Sequence, residues 1–109
     1  MRKDTKARDF DRKTKMAIAE RDKVRGWPCC VYCGAAAPAE LAYSNAHYIS
    51  RSQGGLGIVE NGLTLCPICH RRYDQTTARM RMREFFRGYL MEHHENWNEE
   101  DLVYRRKPL

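Results

Sequence analysis

Two pairs of cysteines, each separated by two residues, constrain this 109-residue chain more than any other feature. The pairs are Cys30 with Cys33 and Cys66 with Cys69. Two intervening residues let the backbone form a knuckle that points both sulfurs at one metal ion, and two knuckles complete a tetrahedral thiolate site. We therefore predict a structural zinc ion bound by these four cysteines, because a chain this short has a small core that needs further stabilisation.

Other uses of the thiols fit the sequence less well. A disulfide framework would suit a secreted protein, but the first residues are charged and no apolar stretch follows them, so we expect no signal peptide and a cytoplasmic location. A redox dithiol would place one cysteine pair beside a strand–helix–strand pattern, which we do not find. We interpret the fifth cysteine, Cys29, as a buried bystander.

Positive charge is concentrated on both sides of a neutral centre. The formal net charge is +6, with +5 in residues 1–25, zero in 26–74 and +2 in 75–94. This distribution suits a polyanionic partner such as nucleic acid, although a solvated helix face of mixed charge would give the same pattern. No apolar run reaches the roughly 18 residues of a membrane span, so we expect no membrane partner.

The patterns of apolar and turn-forming residues predict a mixed α and β chain. We expect frayed residues at 1–9 and a helix from about Asp9 to Arg25, and later helices from Thr76 or Thr77 to about His93 and from Asn98 onward. The central elements are expected in the order strand, loop, strand and helix, over residues 41–50, 51–60, 63–65 and 67–74.

Length and composition predict one domain over residues 1–109. Within it we expect a basic N-terminal helical arm at 1–26, a zinc-binding core at 27–74 and C-terminal helices at 75–109.

Three polar residues accompany the second cysteine pair at defined spacings. His47 lies in the first central strand, Asn61 follows after thirteen intervening residues, and His70 follows after eight more, directly behind Cys69. Each alone is more often structural: a half-buried strand histidine, a turn asparagine, or an unused neighbour of the zinc site. Their joint spacing makes a functional site the better interpretation.

Over about residues 30–74 the sequence resembles the HNH endonuclease family in its four-cysteine version. The resemblance rests on the two cysteine pairs and the His47, Asn61 and His70 spacing, and the segments 51–55 (RSQGG) and 60–67 (ENGLTLCP) add to it. It implies an α+β fold with a ββα-metal (His-Me finger) core on a four-cysteine zinc ribbon, flanked by N- and C-terminal helices. It also implies metal-dependent hydrolysis of DNA phosphodiester bonds.

The resemblance also implies a role for each motif residue. His47 would be the general base that activates water, which suits an imidazole whose ordinary pKa is about 6.5. Asn61 would fix the strand–loop hairpin and orient the base. His70 would bind a divalent metal that contacts the phosphate and the leaving 3′ oxygen.

One position departs from the family pattern. Most family sites place Asp or His directly before the base as a metal ligand, but here that residue is Ala46. We predict that Asp74 replaces it, because it lies four residues after His70 and would share a helix face with it. A carboxylate and an imidazole suit Mg²⁺ or Mn²⁺.

We expect DNA phosphates to bind Arg51, which follows the base, and Arg71 and Arg72, which follow His70. Because nothing resembles a base-reading helix, we expect weak sequence preference and salt-sensitive binding. A chain with one active site, as a monomer or weak dimer, would nick DNA.

A second class of function stays open, a non-catalytic zinc-ribbon DNA-binding adaptor in which Ala46 marks a decayed site. Small proteins of this kind resemble those of bacteriophage genomes, often near packaging functions. The resemblance therefore suggests phage packaging proteins as further partners, in a bacterium or a phage-infected host.

Overall fold

Helices and two small antiparallel sheets form the fold of residues 7–104, the part of the chain that the computed structural model describes. The helices are α1 (Arg12–Arg21), α2 (Pro67–Gln75) and α3 (Arg79–His93). One sheet pairs β1 (Lys23–Val24) with β2 (Trp27–Pro28), and the other pairs β3 (Asn45–His47) with β4 (Gly62–Thr64). Short 3-10 helices cover Arg51–Gln53, Val59–Asn61 and Glu99–Leu102. The predicted α+β class is confirmed.

The N-terminal arm differs from the prediction. Helix α1 begins after Asp11, whose carboxylate accepts from the Thr14 amide at 2.7 Å, and it ends at Arg21 instead of near Arg25. The residues that follow form the β1–β2 hairpin, because Gly26 adopts a φ of +82° in its turn. Residues 1–6 of the segment expected to fray lie outside the described part, and residues 7–9 are held against the rest of the protein.

The central elements follow the predicted order of strand, loop, strand and helix. Strand β3 pairs only over Asn45–His47, which is shorter than the expected extended segment, and His47 lies opposite Gly62 of β4. Helix α2 begins at Pro67, whose missing amide hydrogen costs nothing in a first turn. It ends at Gln75, one residue beyond the prediction. β3 thus carries one histidine opposite β4, and α2 carries a second whose Nδ1 is 2.8 Å from Ser44, directly before β3.

The C-terminal part contains both expected helices, the first as the α-helix α3 and the second, short one as a 3-10 helix. Helix α3 buries Met82, Phe86 and Leu90 against the core, whereas Phe85 of the predicted apolar stripe is 48% exposed. Asn98 caps only a 3-10 helix, by accepting from the amide of Glu100. Within residues 7–104, no helix combines the length and apolar character needed to cross a membrane.

A buried carboxylate fixes α1 relative to the central sheet. Asp22 is 3% exposed, and its oxygens accept from the Arg21 guanidinium at 2.7 and 3.0 Å, the Thr64 amide at 3.0 Å and the Tyr89 hydroxyl at 2.6 Å. Arg21 also donates to the carbonyl of Gly62 at 2.6 Å. Such a charge is tolerated inside a protein only when it is fully hydrogen-bonded. The network therefore sets where the start of the chain meets β4.

Candidate active site and metal centre

Four cysteine sulfurs converge where the loop after β2 meets the start of α2. The sulfurs of Cys30, Cys33, Cys66 and Cys69 all lie within 4.8 Å of one another, and those of Cys33 and Cys66 are 3.7 Å apart. A tetrahedral zinc ion with bonds of about 2.3 Å separates its sulfurs by roughly 3.8 Å. The spacing of the cluster therefore fits a four-coordinate thiolate zinc site.

The chemistry of the cluster also favours a cation. Burial raises the pKa of the Cys69 thiol, and the neighbouring Cys66 and Cys30 raise it further. Several thiolates can be held this closely only when a dication offsets their mutual repulsion. Cys29 is buried outside the cluster, with its sulfur 3.4 Å from the carbonyl oxygen of Trp27, as expected of a bystander.

His47 lies at the end of β3, beneath residues that precede α1. Its Nε2 is 2.6 Å from the carbonyl oxygen of Arg8, and its ring stacks on Phe10 with 4.2 Å between the centroids. Because a carbonyl can only accept, Nε2 carries the proton of the neutral ring and Nδ1 is the basic nitrogen. Burial lowers the pKa of His47 below the ordinary 6.5, and the hydrogen bond to Arg8 opposes this effect.

His70 lies on α2 with partners at both ring nitrogens. Its Nε2 is 3.0 Å from the carboxylate of Asp74, so the two side chains share a helix face as their four-residue spacing predicts. Its Nδ1 is 2.8 Å from the hydroxyl of Ser44. The hydrogen bond between Ser44 and Nδ1 fixes the orientation of the His70 ring, so that Nε2 points toward Asp74.

The two histidines line the same cleft, which has a volume of about 600 Å³. Asp74, Arg51 and Arg79 also line it. A second groove, of about 630 Å³, shares His47 and Arg51 with the first. His47 therefore borders both grooves. Lys15 lines the second groove, Arg79 lines the cleft and Arg51 lines both.

Ala46 contributes nothing to the cleft. It is fully buried in the core, whereas Asn45 and His47 on either side of it are partly exposed. Among residues 7–104, the cysteine cluster is the one group of three or more His, Cys, Asp or Glu ligands close enough to hold an ion. At the cleft, His70 and Asp74 form a contact pair with two ligand-type side chains.

Asn61 is fully buried between the end of β3 and the loop that leads to β4. Its side-chain oxygen accepts from the Ile49 amide at 2.8 Å, and its nitrogen donates to the carbonyls of Ile49 at 3.1 Å and Leu56 at 2.9 Å. Its own carbonyl accepts from the Tyr48 amide at 2.8 Å. Asn61 thus fixes the backbone immediately after His47.

The three predicted phosphate-binding arginines lie in different surroundings. Arg51 lines both grooves, and its guanidinium is 2.7 Å from the carboxylate of Asp9. Arg71 and Arg72 are exposed on α2 but line neither groove. The structure therefore brings only Arg51 beside His47.

Arg79 is a cleft residue that the sequence reasoning missed. Its guanidinium donates to the Tyr73 carbonyl at 2.9 Å, lies 4.1 Å from the centre of the Tyr73 ring and is 3.8 Å from Asp74. Nothing in the sequence separates it from the other arginines of α3, because its position depends on how α3 packs on α2. Phe10 and Ser44 were missed for the same reason, since their contacts join distant parts of the chain.

A comparison with protein families finds a match for the central part of the chain, which carries most of these site residues. The HNH endonuclease family matches residues 30–76, which include both cysteine pairs, the two cleft histidines and Asn61. No curated protein matches the chain. Residues 30–76 therefore match the HNH endonuclease family, and their four cysteines are positioned to bind a metal as in its zinc-ribbon members.

Proposed function

We propose that this protein is a metal-dependent DNA endonuclease that nicks one strand with weak sequence preference. The observation that carries the proposal is that His47 and His70 line one cleft although they lie on different elements. In the proposal, β3, β4 and α2 form a ββα-metal core, and the two imidazoles act on one phosphodiester. The basic flanks of the chain would favour DNA as the substrate.

His47 would take a proton from the attacking water through Nδ1. Its lowered pKa keeps the ring neutral near pH 7, which is the form that a general base needs. Asn61 would hold the backbone after β3 so that the ring keeps its position. General-base assistance of this kind is typically worth ~10²–10⁴ in rate.

His70 and Asp74 would hold the divalent ion. An imidazole nitrogen and a carboxylate oxygen 3.0 Å apart on an open cleft suit Mg²⁺ or Mn²⁺, which keep several waters and bind few protein ligands. Such an ion, when bound, would neutralise the charge that develops on the phosphate and the leaving oxygen. Ser44 would keep the His70 ring turned toward Asp74.

Arg51 and Arg79 would bind phosphates on the strand that occupies the cleft. Arg71 and Arg72 would add attraction from the exposed surface of α2, at a greater distance from the reacting phosphate. Contacts of this kind hold the backbone and carry no sequence information, which accounts for the weak sequence preference.

Incubation of supercoiled plasmid with the purified protein tests the proposal. We expect open-circular product with Mg²⁺ or Mn²⁺ and none with EDTA, and we expect DNA ligase to seal the nick, because departure of the 3′ oxygen leaves a 3′ hydroxyl and a 5′ phosphate. His93→Ala is the matched control, since His93 is exposed at the end of α3, outside both grooves.

The adaptor remains the second candidate, and the observation that favours it is the buried Ala46, which leaves the cleft with two metal ligands. Binding of duplex DNA without cleavage in either metal would support the adaptor and contradict the endonuclease.

A further inference from the structure

The residues that precede α1 pack over His47, although they lie outside the segment that matches the HNH family. We call residues 7–11 the N-terminal strap. Two of its residues contact His47 directly, through the Phe10 ring and the Arg8 carbonyl. Asp9 pairs with Arg51, which borders the same grooves. The strap therefore touches the residue that the proposed function places at the centre of the reaction.

The strap is held at both ends by contacts that do not involve His47. The Ala7 carbonyl accepts from the Gly57 amide at 2.9 Å, and Asp11 caps α1. Gly57 is required for this approach, because a Cβ at that position would overlap the backbone carbonyl of Asp9. The loop after β3 is thus shaped to receive the strap.

We propose that Phe10 and the Arg8 carbonyl are positioning groups that select the Nε2–H tautomer of His47 and fix its ring. This inference rests on the proposed function, because it assigns a way of orienting the proposed base. The carbonyl accepts the Nε2 proton, and the stacked Phe10 ring restricts rotation of the imidazole. Nδ1 is then the nitrogen that accepts a proton from water.

The strap should also affect the pH dependence of cleavage, because its residues surround His47. Asp9 on the strap and Asp74 on α2 act to raise the pKa of His47, and Arg51 acts to lower it, but burial is the largest influence and lowers it. Lys15 of α1 lines the adjoining groove. Removing the Phe10 ring would expose the imidazole, so the pKa of His47 would rise toward the ordinary 6.5. As the pH is lowered, activity would then begin to fall at a higher pH than in the wild type.

The same contacts would have the opposite effect on cleavage if the strap were a lid over His47. If the strap blocked His47, loosening it would increase the cleavage rate. A positioning strap predicts a decrease, because a misplaced catalytic group costs up to roughly a hundredfold in rate. The sign of the change therefore separates the two roles.

The test uses the full-length chain with Phe10→Ala, Phe10→Tyr and Gly57→Ala. Phe85→Ala and Gly88→Ala are matched controls, because Phe85 is 48% exposed on α3 and a Cβ at Gly88 would meet nothing within 4 Å. Nicking is measured under single turnover across pH together with DNA affinity, and the ring tautomer of His47 is measured by ¹⁵N NMR without substrate.

We expect Nε2–H in the wild type and a mixture of tautomers in Phe10→Ala. The nicking rate of Phe10→Ala and Gly57→Ala should fall roughly ten- to a hundredfold with little change in DNA affinity, and the acid limb of the Phe10→Ala profile should move to higher pH. Phe10→Tyr should restore both the rate and the tautomer, because its ring can stack in the same way.

Three outcomes would overturn the inference. An Nδ1–H tautomer in the wild type, which needs no variant to fold, removes its basis. Wild-type rates in Phe10→Ala and Gly57→Ala overturn it while the proposed function stands, and faster rates make the strap a lid. A wild type that binds DNA but does not nick it with Mg²⁺ or Mn²⁺ removes the proposed function and this role together.

Discussion

The carboxylate of Asp74 lies 3.0 Å from Nε2 of His70, on the wall of the cleft that His47 also lines. This pair occupies adjacent turns of α2, whereas the family pattern places a ligand on the strand, where Ala46 is buried. In the proposed endonuclease, the second protein ligand has therefore moved from the strand to the helix.

Asp74→Asn should raise the metal concentration that cleavage requires. Loss of the carboxylate charge weakens one of the two proposed protein ligands, so the Mn²⁺ concentration for half-maximal nicking should rise by at least about 10-fold. Altering a group that only hydrogen-bonds a ligand already costs about 10- to 100-fold in metal affinity. A Mn²⁺ titration of plasmid nicking measures that concentration. Glu84→Gln, which changes an exposed carboxylate on α3, should leave the curve in place. An unchanged curve for Asp74→Asn would exclude Asp74 as a ligand.

Removal of the structural metal should unfold the protein. Zinc bound by thiolates contributes about 10–16 kcal/mol of apparent binding free energy in small zinc-finger peptides, which is comparable with the stability of a whole domain. We expect Cys69→Ser, or the wild type with a strong chelator, to lose its cooperative thermal transition by circular dichroism. Cys29→Ser should keep one zinc per chain and melt normally. Native spectra with all four thiols reactive would contradict a structural role.

Asn61→Ala should be costly for stability because two buried hydrogen bonds and one partly buried hydrogen bond are lost, which leaves their backbone partners unsatisfied. At about 1 kcal/mol for each bond, with a further penalty for unsatisfied groups, the free energy of unfolding should fall by about 2–4 kcal/mol in a urea titration. Asn98→Ala, which removes an exposed cap, should cost about 1 kcal/mol. An equal fall in the free energy of unfolding for the two variants would contradict this structural role of Asn61.

Arg79→Ala should weaken DNA binding and reduce its dependence on salt. Each phosphate contact contributes about one unit to the slope of log affinity against log salt, so the slope should fall by about 1. Arg81→Ala is the matched control, because Arg81 is exposed on the same helix and does not line the cleft. A salt titration by fluorescence anisotropy distinguishes them. If both variants lose the same affinity, the cleft has no special role in binding.

Local sequence patterns predicted the parts of the fold that depend on short spacing. The cysteine pairs, the Pro67 start of α2 and the shared face of His70 and Asp74 all follow from residues a few positions apart. The predicted end of α1 was wrong. No local signal shows that Arg21 binds the carbonyl of Gly62 or that Asp22 binds the amide of Thr64, both in a distant strand.

The contacts around the candidate site that were not predicted join segments far apart in the chain. Phe10 meets His47, and Ser44 meets His70, through packing that a single sequence does not reveal. The segment expected to fray contains Arg8, whose carbonyl oxygen is 2.6 Å from Nε2 of His47. Polar composition predicted an exposed end, but the approach over Gly57 holds it in place.

The most direct test of the proposed endonuclease is the single-turnover rate of plasmid nicking by His47→Ala in Mg²⁺, compared with wild type and His93→Ala. The account predicts that His47→Ala keeps its zinc and its DNA affinity but nicks ~10²–10⁴ more slowly, because general-base assistance is lost. His93→Ala should match the wild type. Nicking by His47→Ala at the wild-type rate would contradict the assignment of His47 as the base.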